Sequence, residues 1–305
     1  MRFDAPHPIP YQGSKRRLAP AILSFIPPGR FKRLVEPFAG SASITLGAAK
    51  ADLCAEFVIA DILEPLTAIW REILERPEAL SEAYRDLWRS QFKGDPTRRF
   101  NEIRTEFNLD HDPAKLLFLL ARCVKNAVRF STSGQFNQSP DHRRRGTHPD
   151  TMEREIIAAS KLLRGRCKVV CGDFRKVLQN AGPQDIVYLD PPYQGTSEGR
   201  DSRYFKGVER QAIVELLADL NDRGIEYVLS YDGQCGDKSY GRPLPSAANG
   251  HRVLLEVGRS SQATLNGLDA VTVESVYLSP GLTAGVRAGV RVSLKAFSPQ
   301  VPLFP

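Results

Sequence analysis

Four consecutive residues, Asp190-Pro191-Pro192-Tyr193, place a carboxylate, two prolines and an aromatic ring at one point of the chain. Proline has no N–H and a fixed φ, so the backbone here can neither continue a strand ladder nor open an ordinary helical turn. What remains is a rigid corner with an acceptor side chain, acceptor carbonyls and a flat face. That set suits an exocyclic amine on a planar heterocycle. The carboxylate and a carbonyl accept its two N–H bonds, and the ring stacks. Alone, the four residues are a weak signal, because an Asp before prolines is also a common turn former.

The elements before such corners strengthen it. Ile186–Leu189 is a short apolar run that reads as a buried strand, and open α/β sheets bind ligands at strand carboxyl ends. Leu34-Val35 runs into Glu36-Pro37-Phe38 and the small-residue turn Ala39-Gly40-Ser41-Ala42-Ser43, then a helix start. The turn lacks Gly-x-Gly-x-x-Gly and Gly-Lys-Ser/Thr, which argues against dinucleotide and P-loop phosphate sites. It fits a cofactor with a small zwitterionic tail. Phe57–Ala60 is a second strand ending in Asp61, about 20 residues on, where such sheets set a carboxylate on ribose hydroxyls. Asp61 also reads as a helix N-cap. Val169-Val170-Cys171 ends in Gly172-Asp173-Phe174. Asp173 is placed either to accept from an adenine amino group, with Phe174 over the ring, or to cap a helix from Phe174 to Leu178. Near the start, Ser14 is expected to cap a helix carrying Leu18, Ile22 and Phe25. Tyr11 and Lys15 precede or open it, and by themselves read as ordinary surface residues.

From Leu66 to about Leu163 helical patterns dominate: 66–74, 79–92, 98–107 and 113–130. A polar, basic stretch then runs from Phe130 to Arg145, mixing Arg129, Arg143, Arg144 and Arg145 with Phe136, Asn137 and Gln138 around Gly134. Arginine with Asn, Gln and aromatics is a side-chain set that reads base edges and holds phosphates. A charge run is otherwise a solvated loop. The expected organisation is a catalytic domain of residues 1–65 and 166–305, with 66–165 inserted as a mainly helical unit. Further on come a polar loop at 196–207 with Tyr204 and Phe205, read as a lid, and a helix at 210–223. Strands are expected at 225–231, 252–257 and 271–278, the last two closing the sheet as an antiparallel hairpin. Residues 279–305 are expected to be peripheral.

The 305 residues carry a net charge of +7, with 42% hydrophobic and 25% charged residues, values of a globular chain compatible with a polyanionic partner. The five cysteines are scattered, with no Cys-x2-Cys pair, so reduced thiols and no metal site are expected. No apolar run follows the first basic residue and none reaches ~18 residues. A cytoplasmic protein without membrane spans is expected.

Tyr11-Gln-Gly-Ser-Lys15, Glu36-Pro-Phe-Ala-Gly40, the 126–138 segment and Asp190–Tyr193 occur in one order. In this the chain resembles the Dam-like, D12-class alpha-group DNA adenine-N6 methyltransferases. Asn126, Arg129 and Gly134-Gln-Phe-Asn137 resemble that family's recognition hairpin, and Arg259-Ser260 its late Arg-Ser element. The resemblance implies an α/β fold: a Rossmann-like S-adenosylmethionine-dependent methyltransferase sheet with an inserted target-recognition domain. It implies double-stranded DNA as substrate, a restriction endonuclease as a possible functional partner, and no membrane. Asp190, Pro191 and Tyr193 are the implied catalytic residues. Tyr11, Lys15, Glu36, Phe38, Ala39, Gly40, Asp61, Asp173, Phe174 and Asp190 are implied at the cofactor. Asn126, Arg129, Gln135, Asn137, Arg143, Arg144 and Arg145 are implied at DNA. Cytosine N4 in DNA or adenine in RNA would meet the same amine chemistry. An inactive nucleic-acid binder is a further alternative, against which the intact Asp190 and Lys15 argue.

Overall fold

Short β-branched runs become strands and the amphipathic stretches between them become helices. The computed structural model describes residues 4–192, 208–235, 238–240, 243–245, 250–259, 271–283 and 291–293. Its first half holds α1 (Ala19–Leu23), β1 (Arg33–Glu36), α2 (Ser43–Lys50), β2 (Glu56–Asp61), α3 (Glu64–Glu75), α4 (Pro77–Ser90), α5 (Pro96–Asp110), α6 (Pro113–Arg122) and α7 (Pro149–Leu163). Its second half holds β3 (Cys167–Cys171), α8 (Phe174–Leu178), β4 (Asp185–Leu189), α9 (Arg210–Asp222), β5 (Glu226–Cys235), β6 (Lys238–Tyr240), β7 (His251–Arg259), β8 (Val271–Leu278) and β9 (Arg291–Ser293).

The described strands form one sheet in the order β3-β2-β1-β4-β5-β8-β7-β9, with β6 on β5. Strands β1 to β5 are parallel, and Val35 pairs with Val58 on one side and Val187 on the other. Only β8, between β5 and β7, and the short β6 run antiparallel to their neighbours. The chain winds outward from β1 to β3, then returns to β4 on the other side of β1. The crevice at the ends of β1 and β4 is therefore the topological switch point, where such sheets bind ligands.

Alternation along the strands builds a core on each face. Leu34, Ile186 and Tyr188 face the larger cluster, shared with α1 to α7, while Val35, Val187 and Leu189 face the cluster under α8 and α9. Every residue of β4 is buried, which is why that strand reads as an unbroken apolar run. The larger core continues without a break from the sheet into the helices between β2 and β3. Leu66, Ile69, Trp70 and Ile73 of α3 and Leu116 to Leu120 of α6 are all buried in it. No described helix is long and apolar enough to cross a membrane.

Four expectations need correction. Lys15–Arg17 forms a 3-10 turn before α1, and the Ser14 hydroxyl makes no cap; it accepts from Ser41 Oγ at 2.9 Å. The helix expected over 113–130 stops at Arg122. Cys123 is extended, Lys125 and Asn126 lie in the left-handed region, and Asn126 Nδ2 donates to the Leu120 carbonyl at 2.8 Å. Asparagine is one of the few side chains that tolerates that conformation, so it ends the helix and closes its last turn. The strand expected to end at Tyr231 runs through a bulge to Cys235, because buried Asp232 accepts from Tyr277 at 2.5 Å and from Ser275. Residues 279–305 are not wholly peripheral: Ser279 is buried against Tyr227, and β9 extends the sheet. The expected lid at 196–207, the loop around Ser260 and most of the tail lie outside the described residues.

Candidate active site

Polar residues that end parallel strands converge, because every strand delivers its last residue to the same edge. A cavity of about 600 Å³ lies at that edge, over β1, β2, β3 and β4. This is the size of an ordinary small-molecule site. Tyr11, Lys15, Glu36, Phe38, Ala39, Gly40, Asp61, Asp173, Phe174 and Asp190 all line it, with Pro191 and Pro192. Tyr193 lies outside the described residues.

The turn after β1 is held from two sides. Gly40 has φ +49, and a side chain there would meet the Tyr11 ring at 3.1 Å, so this position requires glycine. Its N–H donates to Asp61 Oδ2 at 3.1 Å and its carbonyl accepts from Trp70 Nε1 at 3.0 Å. Asp61 Oδ1 accepts from Leu63 N at 3.0 Å in the turn ahead of α3; the helix itself is capped at Leu63 without a side-chain bond, so Asp61 fixes the glycine turn and is not the N-cap. Burial pushes the Asp61 carboxyl up even so. Each of its oxygens keeps a second lone pair for a hydroxyl from the cavity side.

Glu36 is buried at the end of β1, where its Oε2 accepts from Thr45 N at 2.8 Å and Thr45 Oγ1 at 2.5 Å. Burial pushes this carboxyl to about 8, and nearby Asp190 adds to the rise. Asp173 caps α8, accepting from Arg175 N at 2.9 Å, which is the capping alternative; it also lines the cavity. Phe174 packs on Phe38 with centroids 5.0 Å apart, forming an apolar wall.

Asp190 stands where β4 ends, at the switch point. Lys15 Nζ lies 3.0 Å from its Oδ1 and 3.6 Å from Glu274 Oε2. The lysine is 6% exposed. The buried lysine thus bridges two carboxylates and fixes one oxygen of Asp190. A carboxylate at the edge of an acid-lined cavity can accept hydrogen bonds from an N–H and favours a positively charged ligand.

Comparison with known proteins agrees with this chemistry. The model of the D12 class N6 adenine-specific DNA methyltransferases matches residues 11–254. The chain belongs to that family. It is 27% identical to the DNA N-6-adenine-methyltransferase of Escherichia phage P1 over 73% of this chain and 29% of that protein. It is 25% identical to the retron Ec67 DNA adenine methylase of Escherichia coli over 72% of this chain and 75% of that enzyme. It is 24% identical to the Type II methyltransferase M.MjaIII of Methanocaldococcus jannaschii over 66% and 74% of the two chains. A member of this family acts on DNA and requires a methyl donor.

In this D12 methyltransferase the expected DNA-facing residues fall into two groups. Arg129, Gln135 and Asn137 belong to a small hairpin closed by the Phe130–Phe136 bridge, with Asn137 N donating to Arg129 O at 3.1 Å. Gln135 and Asn137 are exposed and Phe136 between them is buried. Asn126, Arg143, Arg144 and Arg145 gather at the end of α6 instead. Asn126 is occupied as a cap, and its carbonyl accepts from Gln12 N at 2.9 Å, joining this region to the cavity loop. Arg143, Arg144 and Arg145 are all exposed; Arg144 Nε is held by Asp141 Oδ2 at 2.8 Å, and Arg143 Nε lies 4.0 Å from Asp141 Oδ1. The Arg122 guanidinium is buried beneath them, donating to Gln91 Oε1 at 3.2 Å and to the Asp141 carbonyl.

Glu274, Thr45, Trp70 and Arg122 have no place among the expected site residues. Glu274 was detectable in one respect, as a lone acid in an alternating strand otherwise free of charge. The other three act through partners 9, 30 and 31 residues away, and nothing in their local sequence signals it.

Proposed function

We propose that the cavity binds S-adenosylmethionine and that the enzyme methylates N6 of an adenine flipped out of double-stranded DNA. Residues 66–165 serve as the target-recognition module, and 1–65 with 166–305 as the catalytic part. The observation that carries this reading is Asp190 at the switch point, beside a pocket walled by carboxylates and phenylalanines. The residues fit the donor. Asp61 suits ribose hydroxyls, Phe38 and Phe174 an adenine face, and Glu36 with the small-residue turn an amino-acid tail. Bound there, the donor supplies an electrophilic methyl carbon on a sulfonium.

Adenine N6 is a poor nucleophile because its lone pair is delocalised into the ring. Flipping the base out of the duplex costs a few kcal/mol. Asp190 and the Pro191 carbonyl then accept hydrogen bonds from the two N6 hydrogens, drawing the nitrogen toward tetrahedral geometry and freeing its lone pair; as N6 takes the methyl and the sulfur leaves as a neutral thioether, Asp190 is placed to receive the one proton that N6 loses. Tyr193 stacks on the base, a contact worth roughly 1–3 kcal/mol. Positioning and electrostatics supply most of the rate, with no covalent intermediate on the protein. Arg129, Gln135 and Asn137 read base edges, and Arg143 and Arg145 hold phosphates. DNA as substrate fits a cytoplasmic enzyme. The relative from Methanocaldococcus jannaschii is named a Type II methyltransferase, which supports a restriction endonuclease of matching specificity as a functional partner.

Calorimetric titration tests the donor site. The wild type should bind S-adenosylmethionine, and Phe174→Ala and Asp61→Ala should each weaken binding by about tenfold or more. Binding that is undiminished in both variants would move the donor elsewhere.

A further inference from the structure

The hairpin that carries Arg129, Gln135 and Asn137 is too small to hold its own shape. Its ladder consists of one bridge, Phe130–Phe136, with Ser131 N to Gln135 O at 2.7 Å and Asn137 N to Arg129 O at 3.1 Å. Even a full two-stranded hairpin is marginal in water. Two side chains of α5 supply what is missing. Asn108 Oδ1 accepts from Phe136 N at 2.8 Å, and Asn108 Nδ2 donates to Phe136 O at 3.1 Å. One amide side chain thus acts as a one-residue neighbouring strand. Arg104 Nη1 donates to Gln138 O at 2.9 Å.

This clamp decides which way the hairpin faces. Gln135, Asn137 and Ser139 are exposed, while Phe136, Gln138 and Pro140 are buried in strict alternation. The Phe136 ring stands edge-on to Phe107, one residue before Asn108, with centroids 6.2 Å apart. A one-residue slip would exchange the two faces and turn Gln135 and Asn137 inward. Ring packing alone tolerates small shifts, whereas the paired hydrogen bonds to one residue's N–H and C=O fix its register.

We infer that Asn108 is a positioning residue for sequence recognition, locking the register of the hairpin edge that meets DNA. This rests on the reading that Arg129, Gln135 and Asn137 contact bases. Asn108 is itself half-buried on a helix, so it can be replaced without opening the core.

The experiment first takes the recognised site from sequencing of methylated product. Wild type, Asn108→Ala, Asn108→Asp, Arg129→Ala and Asn137→Ala are then compared on that duplex and on duplexes with one changed base pair. Hydrogen exchange of the 135–138 amides is measured in parallel. Asn108→Ala should speed that exchange at least tenfold, raise KM for DNA about tenfold and cut discrimination against a changed base pair about tenfold. Its kcat at saturating DNA, donor affinity and Tm should stay near wild type. Asn108→Asp keeps the acceptor and loses the donor, so it should fall between. Unchanged exchange in Asn108→Ala would remove the clamp. Faster exchange with unchanged KM and discrimination would remove its role in recognition. If Arg129→Ala and Asn137→Ala both discriminate as wild type does, the hairpin does not read bases, and the inference falls with that reading.

Discussion

The cavity and the recognition arm hold their polar groups in opposite ways. In the cavity, carboxylates are fixed by main-chain groups close to the ends of their own sheet: Asp61 by Gly40 and Leu63, Glu36 by Thr45, Asp173 by Arg175. In the arm, main-chain groups are fixed by side chains from α5, α6 and the cap of α4: Gln91 on Arg145, Arg104 on Gln138, Asn108 on Phe136 and Arg122 on Asp141. The charge balance is also opposed. Burial raises the Glu36 and Asp61 carboxyls in the cavity, whereas the Arg143 N–H and the Arg144 guanidinium hold the Asp141 carboxyl below its usual range. A site set by a sheet edge can keep buried, poised acids. A site set by clamps can change what it presents by changing a few side chains, which suits recognition of varied sequences.

The largest break in this contrast should come at Asp190. Asp190→Ala removes the acceptor at the switch point and should lower methyl transfer by roughly 10³-fold, with donor affinity little changed. A rate within tenfold of wild type would show that the acceptor lies elsewhere. A smaller, graded effect is expected in the arm. Arg143→Ala and Arg145→Ala should each reduce the slope of log affinity for DNA against log salt by about 1. Arg144→Ala should change that slope less, because its Nε is already bound to Asp141. Equal slopes for all three would mean that the short hydrogen bond to Asp141 does not hold Arg144 back from DNA.

The smallest effect concerns stability. The Glu36 carboxyl sits near 8 in the folded protein and near 4.5 when unfolded. Between those values the unfolded chain has lost a proton that the folded one keeps. Glu36 therefore contributes stability that is full below about pH 4.5 and declines as pH rises toward 8. Glu36→Gln cannot titrate. Denaturant melts of donor-free protein at pH 5 and pH 8 should show a smaller loss in the variant, and an equal loss would mean that Glu36 is ionised throughout.

The same contrast governs what could be read from the sequence. Strand ends are visible locally, as an apolar run that stops at a polar residue, so Glu36, Asp61, Asp173 and Asp190 could be placed together before any coordinates. The α/β class was legible as well, because apolar strands alternating with helices imply a largely parallel sheet. The arm was legible only as composition. The apolar pattern of 113–130 continued past Arg122, and nothing local revealed that Asn126 would turn left-handed and cap the helix. Ser14 looked like a cap because its neighbours suited a helix, yet its hydroxyl met Ser41 across the cavity loop. Asn108 and Arg104 of α5 carried no signal at all, and their partners lie 28 and 34 residues away. Contacts of that span are set by packing of whole elements.

The most direct test is transfer of a labelled methyl group from S-adenosylmethionine to unmethylated duplex DNA, with the product digested to nucleosides. N6-methyladenine as the labelled nucleoside is the predicted result. Label in N4-methylcytosine would contradict the adenine assignment while keeping the amine chemistry of Asp190. No label in DNA, with the donor bound, would contradict the account at its centre.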